Sequence, residues 1–369
     1  MKIISTGSRY DIYPDDLKSY DKLPADYYVV RFAERQGFFL EKYTEFSITD
    51  AKIYGVHLEK VDKVLATFKK FNRNLGVILS GDKGIGKSLF SRLLGKKSVE
   101  NGTPVIIVDS YVEGIGSFLD GINQEVMVFF DEFDKTFSDS SDDDAQTSML
   151  SLFDGVAQGK KLFVITCNEI KGLNDFLVNR PGRFHYHFRF EYPNEDDIRE
   201  YLTDTINRDY VSEINNVVDF SKRVSLNYDC LRAIAFEINT GLGFSEAIKD
   251  LNIVNIDSEK FCISVVFADG SCILNNKKYM DSFSNENLSC QLYNLNGDYA
   301  GSISFIPKNI KYNSYTRELY LDNEDVEFSY YDYDLEDEEN EKKEKEFKTR
   351  GIKKIMISRV NDDRLHYVV

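Results

Sequence analysis

The sequence predicts an α/β fold with a parallel sheet, followed by a small helical segment and a β-rich C-terminal domain. Three observations predict it. Gly81 to Ser88 reads GDKGIGKS, between an apolar run at 75–80 (LGVILS) and a helix-like run from Leu89 (LFSRLL). Continuous apolar runs recur at 104–109 (PVIIVD), 126–130 (VMVFF) and 162–166 (LFVIT), as in strands buried on both faces. The pattern then changes to helical from Asn194 to Asp250, and to alternation with β-branched and aromatic residues from about 258.

The Gly81–Ser88 stretch fits the pattern G-x-x-x-x-G-K-[ST] without a mismatch. Its glycines let the backbone wrap round phosphates with amide N–H groups turned inward, and the following helix adds its positive dipole end. Gly81, Asp82, Lys83, Gly84, Ile85, Gly86, Lys87, Ser88 and Leu89 are the expected nucleotide cradle. Lys87 is expected on the β- and γ-phosphates and Ser88 on Mg²⁺. This is the α/β P-loop NTPase class, with ATP and Mg²⁺ as the expected cofactors.

The 369 residues are 42% hydrophobic, enough for more than one domain with a real core. A net charge of −16 disfavours non-specific binding to nucleic acid or anionic membrane. The five cysteines (Cys167, Cys230, Cys262, Cys272, Cys290) include no C-x-x-C, which fits reduced thiols and a cytoplasmic setting. The four histidines complete no zinc pattern with them, and there is no H-E-x-x-H. No segment approaches a membrane span, so no membrane partner is expected.

In chain order, residues 1–50 read as a small N-terminal extension, rich in Tyr and Asp, with short apolar runs at 27–30 and 38–40. Residues 51–192 read as the α/β domain. Within it, 57–71 places Leu58, Val61, Leu65 and Phe68 on one helical face. Lys52 to Gly55 is either an adenine-facing segment or a linker, and 138–144 (SDSSDDD) a polar, acidic loop. Residues 193–252 form the helical segment, with Asn194 as N-cap before EDDIREYLTDTI. Residues 253–369 form the β-rich domain, with hairpin turns expected at Asp269-Gly270 and Asn296-Gly297. Its acidic insertion, 322–346, reads as a solvated, disordered loop or an acidic docking arm, and strand character returns at 351–359 and 365–369.

The run 126–131 is a buried strand ending in Asp131-Glu132. Downstream of a phosphate loop, Asp131 is expected to hold Mg²⁺ and Glu132 to orient and deprotonate the attacking water. Asp134 completes D-E-F-D as a support or loop residue. With these residues in view, 125–183 resembles a AAA+ ATPase of the classical AAA branch. EVMVFFDEFDKTF is similar to that family's Walker B strand, and LSLFDGVAQGKKLFVITCNEIKGLNDFLVNRPGRF to its second region of homology. The most similar group is the mitochondrial AAA translocase that moves a folded Rieske iron–sulfur protein, which shares the short spacing before Walker B, the D-G-V and the R-P-G-R. The resemblance covers about 55–250 and neither end of the chain.

The resemblance implies an AAA+ large domain at 51–192 and an AAA+ helical lid at 193–252. It implies Asn168 as sensor 1, and Arg180 and Arg183 as arginine fingers that reach a neighbouring subunit's nucleotide. It leaves Arg232 either a sensor 2 residue or a helix-surface arginine. Trans-acting arginines imply a closed homo-oligomeric ring, hexameric in the family. For a pore loop, Tyr111, Ile115 and Phe118 are candidates, with a core-facing helix as the alternative. The expected function is ATP hydrolysis by the ring, coupled to remodelling or translocation of a protein substrate. The alternatives are an ATP-switched loader or organiser of nucleic-acid machinery, disfavoured by the acidic charge, and a slow ATP-gated structural scaffold.

Overall fold

The computed structural model describes residues 1–44, 52, 54, 57–137, 144–154, 159–178, 180, 182–253, 259–313, 315–333 and 335–360. Most of the expected acidic loop at 138–144, part of the 52–55 segment and the expected strand at 365–369 lie outside the described residues. The chain forms two compact units, Met1–Tyr192 and Pro193–Val369.

The first unit opens with a two-stranded hairpin, β1 (Lys2–Thr6) and β2 (Arg9–Tyr13). Next come β3 (Tyr27–Ala33) and β4 (Gly37–Lys42), then α1 (His57–Lys70), β5 (Leu75–Ser80) and α2 (Lys87–Glu100). They are followed by β6 (Val105–Val108), α3 (Ile115–Asp120), β7 (Val126–Phe130), α4 (Phe133–Thr136), α5 (Asp144–Ser148) and α6 (Leu150–Asp154). The unit closes with β8 (Lys161–Cys167), α7 (Asp175–Val178) and β9 (Phe184–Arg189).

One seven-stranded sheet runs β4-β3-β6-β7-β8-β5-β9. Every pair in it is parallel except β3 with β4. Strands β5 to β8 are buried along their whole length, which is why they read as unbroken apolar runs. Alternate residues feed opposite faces: Leu75, Val77 and Leu79 pack with Val61, Val64, Phe68 and Phe90 of α1 and α2. Ile78, Val128 and Ile165 pack with Ile115, Phe133, Phe153 and Leu177 on the other side. Helix α1 presents Val61, Val64 and Phe68 to the core, whereas Leu58 is exposed.

The sheet begins earlier than expected. Residues 27–42, read as part of an extension ending at 50, pair onto β6 through the register Tyr27↔Val105. Only Val29 and Val30 of β3 are buried, so this half-covered strand lacks the long apolar run that marks the others.

The second unit starts with α8 (Glu195–Thr205), α9 (Ile214–Ser221), α10 (Tyr228–Asn239) and α11 (Phe244–Asp250) around one apolar core. Asn194 caps α8 as expected: its side chain accepts from the amides of Asp196 (2.8 Å) and Asp197 (3.0 Å), and Asp197 returns a bond to the Asn194 amide. The β domain follows: β10 (Glu259–Phe267), β11 (Cys272–Met280), β12 (Leu288–Tyr293), β13 (Tyr299–Phe305), β14 (Lys311–Asn313), β15 (Glu318–Leu321), β16 (Val326–Ser329), α12 (Asp337–Thr349) and β17 (Ile352–Arg359). It is an antiparallel half-barrel of order β14-β15-β17-β10-β11-β12-β13-β16. Both expected hairpin turns are present, with Gly270 at φ 82° and Gly297 at φ 91°.

The acidic tract is folded, not a disordered loop. Its beginning supplies β16, paired to β13, and its end is helix α12. Acids at 337–339 and Lys348 suit the two ends of the helix dipole. Two buried side chains dock it. Asn340 donates to the carbonyls of Asp332 (3.0 Å) and Leu335 (3.2 Å) and accepts from the Asp332 amide (2.8 Å). Phe347 packs against Phe267 and Phe328.

Within this unit the helices and the β domain share a charged contact. Glu195, buried at the start of α8, accepts at Oε1 from Arg199 Nε (3.0 Å) and Tyr312 Oη (3.1 Å), and its Oε2 pairs with the Lys222 ammonium at 2.8 Å, with Arg317 Nε 3.6 Å from Oε1. Burial alone would raise its carboxyl pKa, but Lys222 and Arg199 hold it below the usual 4.5.

Candidate functional site

Strands β7, β8 and β5 are adjacent and parallel, so their C-terminal ends lie side by side. The phosphate loop leaves β5, Asp131-Glu132 leave β7, and Asn168 leaves β8. A site at the carboxyl ends of parallel strands follows from this topology.

The loop's conformation demands its glycines. Gly81, Gly84 and Gly86 have φ of 134°, 75° and 104°. A Cβ on Gly81 would lie 2.4 Å from the Phe190 carbonyl oxygen. Helix α2 then starts at Lys87 with no side-chain cap and no acid in its first turn. Its leading N–H groups are therefore left to the loop's concave side, the arrangement that binds anions.

Lys87 is 8% exposed. Its ammonium donates to the carbonyls of Gly81 and Asp82 (2.7 Å to the latter) and to Asn168 Oδ1 at 3.1 Å. Burial pushes its pKa below the ordinary lysine range, against the opposing pull of nearby groups that include Asp82, Asp134 and Asp131. Three neutral oxygens thus hold a cation that lacks an anionic partner in direct contact among the described residues. Next to Asn168, burial drives the Cys167 thiol up to about 12, so it stays protonated.

On β7 the acids are held by a residue that sequence reasoning missed. Thr166 Oγ1 donates to Asp131 Oδ1 (2.7 Å) and accepts from the Glu132 amide (2.8 Å). Glu132 has φ 44° and ψ 51°, the left-handed region, which is strained for a residue with a Cβ. Its Oε1 accepts from Lys135 Nζ at 2.7 Å and faces Asn168 Nδ2 at 3.5 Å. Lys135 holds the Glu132 carboxyl below its usual range. Asp134 accepts from the amides of Asn168 (3.0 Å) and Glu169 (3.3 Å), a support for the end of β8. The signal for Thr166 was present, a polar residue ending an apolar strand beside D-E, but only the β7–β8 register shows what it touches.

The two arginines part company. Arg180 is exposed, with its guanidinium 5.9 Å from the Phe176 ring centre. Arg183, expected to reach outward, is 6% exposed and grips Asp154 of its own chain. A bidentate carboxylate and a neighbouring carbonyl satisfy its fork internally, which turns it away from solvent. Arg232 is an exposed helix residue 3.5 Å from Asp229. The pore-loop candidates are committed to packing. Ile115 is buried, Phe118 stacks on Phe38 of β4 (centroids 5.3 Å), and Tyr111 meets Phe137 edge-on.

Residues 77–192 match the family "ATPase family associated with various cellular activities (AAA)". The match covers less than half of the chain. The mostly parallel sheet of the first unit agrees with that match, and an AAA domain implies nucleotide binding. A curated relative, an "AAA ATPase forming ring-shaped complexes" from Corynebacterium kroppenstedtii, is 26% identical over 217 residues. The match takes in 47% of this chain and 38% of the relative, so the chain spans less than half the length of the relative it matches. Among the described residues no helix is long and apolar enough to cross a membrane.

Proposed function

We propose that the chain is an ATPase, converting ATP and water to ADP and phosphate as a homo-oligomeric, hexameric ring in the cytoplasm, and that it uses the cycle to remodel or translocate a protein client. The observation that carries the reading is Asn168. One end of its amide meets the phosphate-loop lysine and the other faces the Walker B glutamate, so cradle and base are joined through one side chain.

In this reading the Lys87 ammonium leaves the Gly81 and Asp82 carbonyls for the β- and γ-phosphate oxygens of ATP. The Gly81–Leu89 backbone cradles the phosphates. Glu132 takes the proton of the attacking water, which Asn168 orients. The Ser88 hydroxyl at the start of α2 and the Asp131 carboxylate at the end of β7 are hard oxygen donors that fit Mg²⁺, and Thr166 fixes one Asp131 oxygen so that the other can face a cation. When bound, Mg²⁺ supplies charge neutralisation between the phosphates. Arg180, exposed and cationic, is the arginine suited to complete a neighbour's site. The relative's ring-shaped complexes and the R-P-G-R spacing shared with the Rieske-protein translocases support a ring.

A slower turnover is favoured by one further observation: Lys135 pairs with Glu132 Oε1 and so makes the carboxylate a weaker base. The packed Tyr111, Ile115 and Phe118 favour a client moved without these side chains as grips.

Glu132→Gln tests the reading. ATP affinity is expected to persist while turnover falls by about 10²–10⁴-fold. Turnover close to that of the unmodified protein would remove Glu132 as the base. Where turnover falls as expected, cross-linking to the ATP-locked variant identifies the client.

A further inference from the structure

We propose that Arg183 is the positioning residue of Arg180 and that Asp154 of the same chain anchors it, so that the two arginines of R-P-G-R have different jobs. The proposal rests on the ring reading above, in which Arg180 serves a neighbouring site.

Arg183 uses every side of its fork at home. Nε and Nη2 bond the two carboxylate oxygens of Asp154 (2.6 Å for Nη2), and Nη1 donates to the Phe176 carbonyl at 2.8 Å. Its side chain is 7% exposed. These bonds tie together the end of α6, helix α7 and the start of β9, which are the elements around Arg180. The backbone completes the brace. The Arg180 carbonyl accepts from the amides of Arg183 (2.9 Å) and Phe184 (3.2 Å), and Arg73 Nη1 donates to the Gly182 carbonyl at 3.2 Å. At Gly76 of β5 a Cβ would sit 2.3 Å from the Arg183 carbonyl oxygen. Only glycine there lets β9 begin this close to the strand that ends in the phosphate loop.

An arginine that must meet a phosphate in another subunit needs a base fixed to a fraction of an ångström, because a misplacement of about 1 Å can cost about 10²-fold in rate. Arg180 is exposed, so the rigidity has to come from beneath it. A planar guanidinium that binds three acceptors in one plane provides it, and a lysine cannot. The ion pair holds the Asp154 carboxyl well below its usual range, so the anchor stays charged at neutral pH.

The test measures kcat, KM for ATP and ATP affinity in the full-length chain. Arg180→Ala is expected to lower kcat about 10³-fold, by loss of the trans cation. Asp154→Ala and Arg183→Ala are each expected to lower kcat about 10²-fold with ATP affinity unchanged, and the double variant to be no worse than either single one. Arg183→Lys is expected not to rescue. Asp154→Asn keeps the volume and one acceptor, so it guards against misfolding, and it is expected to show a smaller loss of the same kind. Full activity in Asp154→Ala or Asp154→Asn beside an inactive Arg183→Ala would show that Arg183 acts away from Asp154, which overturns the proposal and leaves the ring reading standing. Full activity in Arg180→Ala would instead overturn the ring reading itself.

Discussion

Lys87 in the first unit and Glu195 in the second are both largely buried charges, and the protein treats them in opposite ways. Glu195 is surrounded by Arg199, Lys222, Arg317 and the Tyr312 hydroxyl. Lys87 has two loop carbonyls and an amide oxygen in contact, and its nearest carboxylates act only at a distance. Their pKa values carry the same message: opposing charges win over burial at Glu195, whereas burial wins at Lys87. A completed network joins the helices to the β domain. An uncompleted one, at a cost in stability, is what the proposed nucleotide site would have before its ligand binds.

Three substitutions can break or sharpen that contrast. The largest effect is expected at Lys87. Lys87→Met removes the phosphate contact, so ATP affinity should fall at least about 10²-fold, as calorimetry would show, while the melting temperature without ATP holds or rises. A lower melting temperature without ATP would mean that Lys87 is structural after all. At Glu195 the pattern should invert. Glu195→Gln takes the carboxylate from Arg199 and Lys222, whereas Arg317 keeps Asp196, and should destabilise the second unit by about 3 kcal/mol in urea, with ATP affinity unchanged. The pH dependence has a definite sign. The folded pKa lies below the usual 4.5, so this stability is present above pH 4.5 and is lost as pH falls through the lowered value. Glu195→Gln should therefore flatten the acid limb of a stability–pH curve. An unchanged limb would place the acid sensitivity elsewhere. The smallest effect is expected at Glu132, whose left-handed backbone is strained. Glu132→Asn, a residue tolerant of that conformation, should raise stability by about 0.5–1 kcal/mol in the same urea assay while turnover is lost. A loss of stability would show that the Lys135 pair outweighs the strain.

Much of the AAA domain was legible because its signals are local. Three glycines within 81–86 followed by Lys87, unbroken apolar runs for strands buried on both faces, and an acidic pair closing one of them need no tertiary knowledge. The same holds for the Asn194 cap and the two Asn/Asp-Gly hairpins. What escaped depended on partners far along the chain. The strand at 27–33 is half-covered and becomes recognisable only through β6. The acidic tract has the composition of a solvated loop, and its helix is decided by two docked residues, Asn340 and Phe347. Thr166 looks like any strand-end threonine until the β7–β8 register sets it against Asp131 and Glu132.

By itself, then, the sequence determined where the glycine-rich loop lies and which strand end carries the acids, since loop geometry and strand burial are written in consecutive residues. Only the tertiary structure decided what each charge faces. It turned Arg183 inward to Asp154 and left Arg180 outside, because the direction of a long side chain depends on which acceptors the fold brings within its reach. It also closed the network round Glu195 and left the one round Lys87 open, a difference that no spacing of charges along the chain reveals.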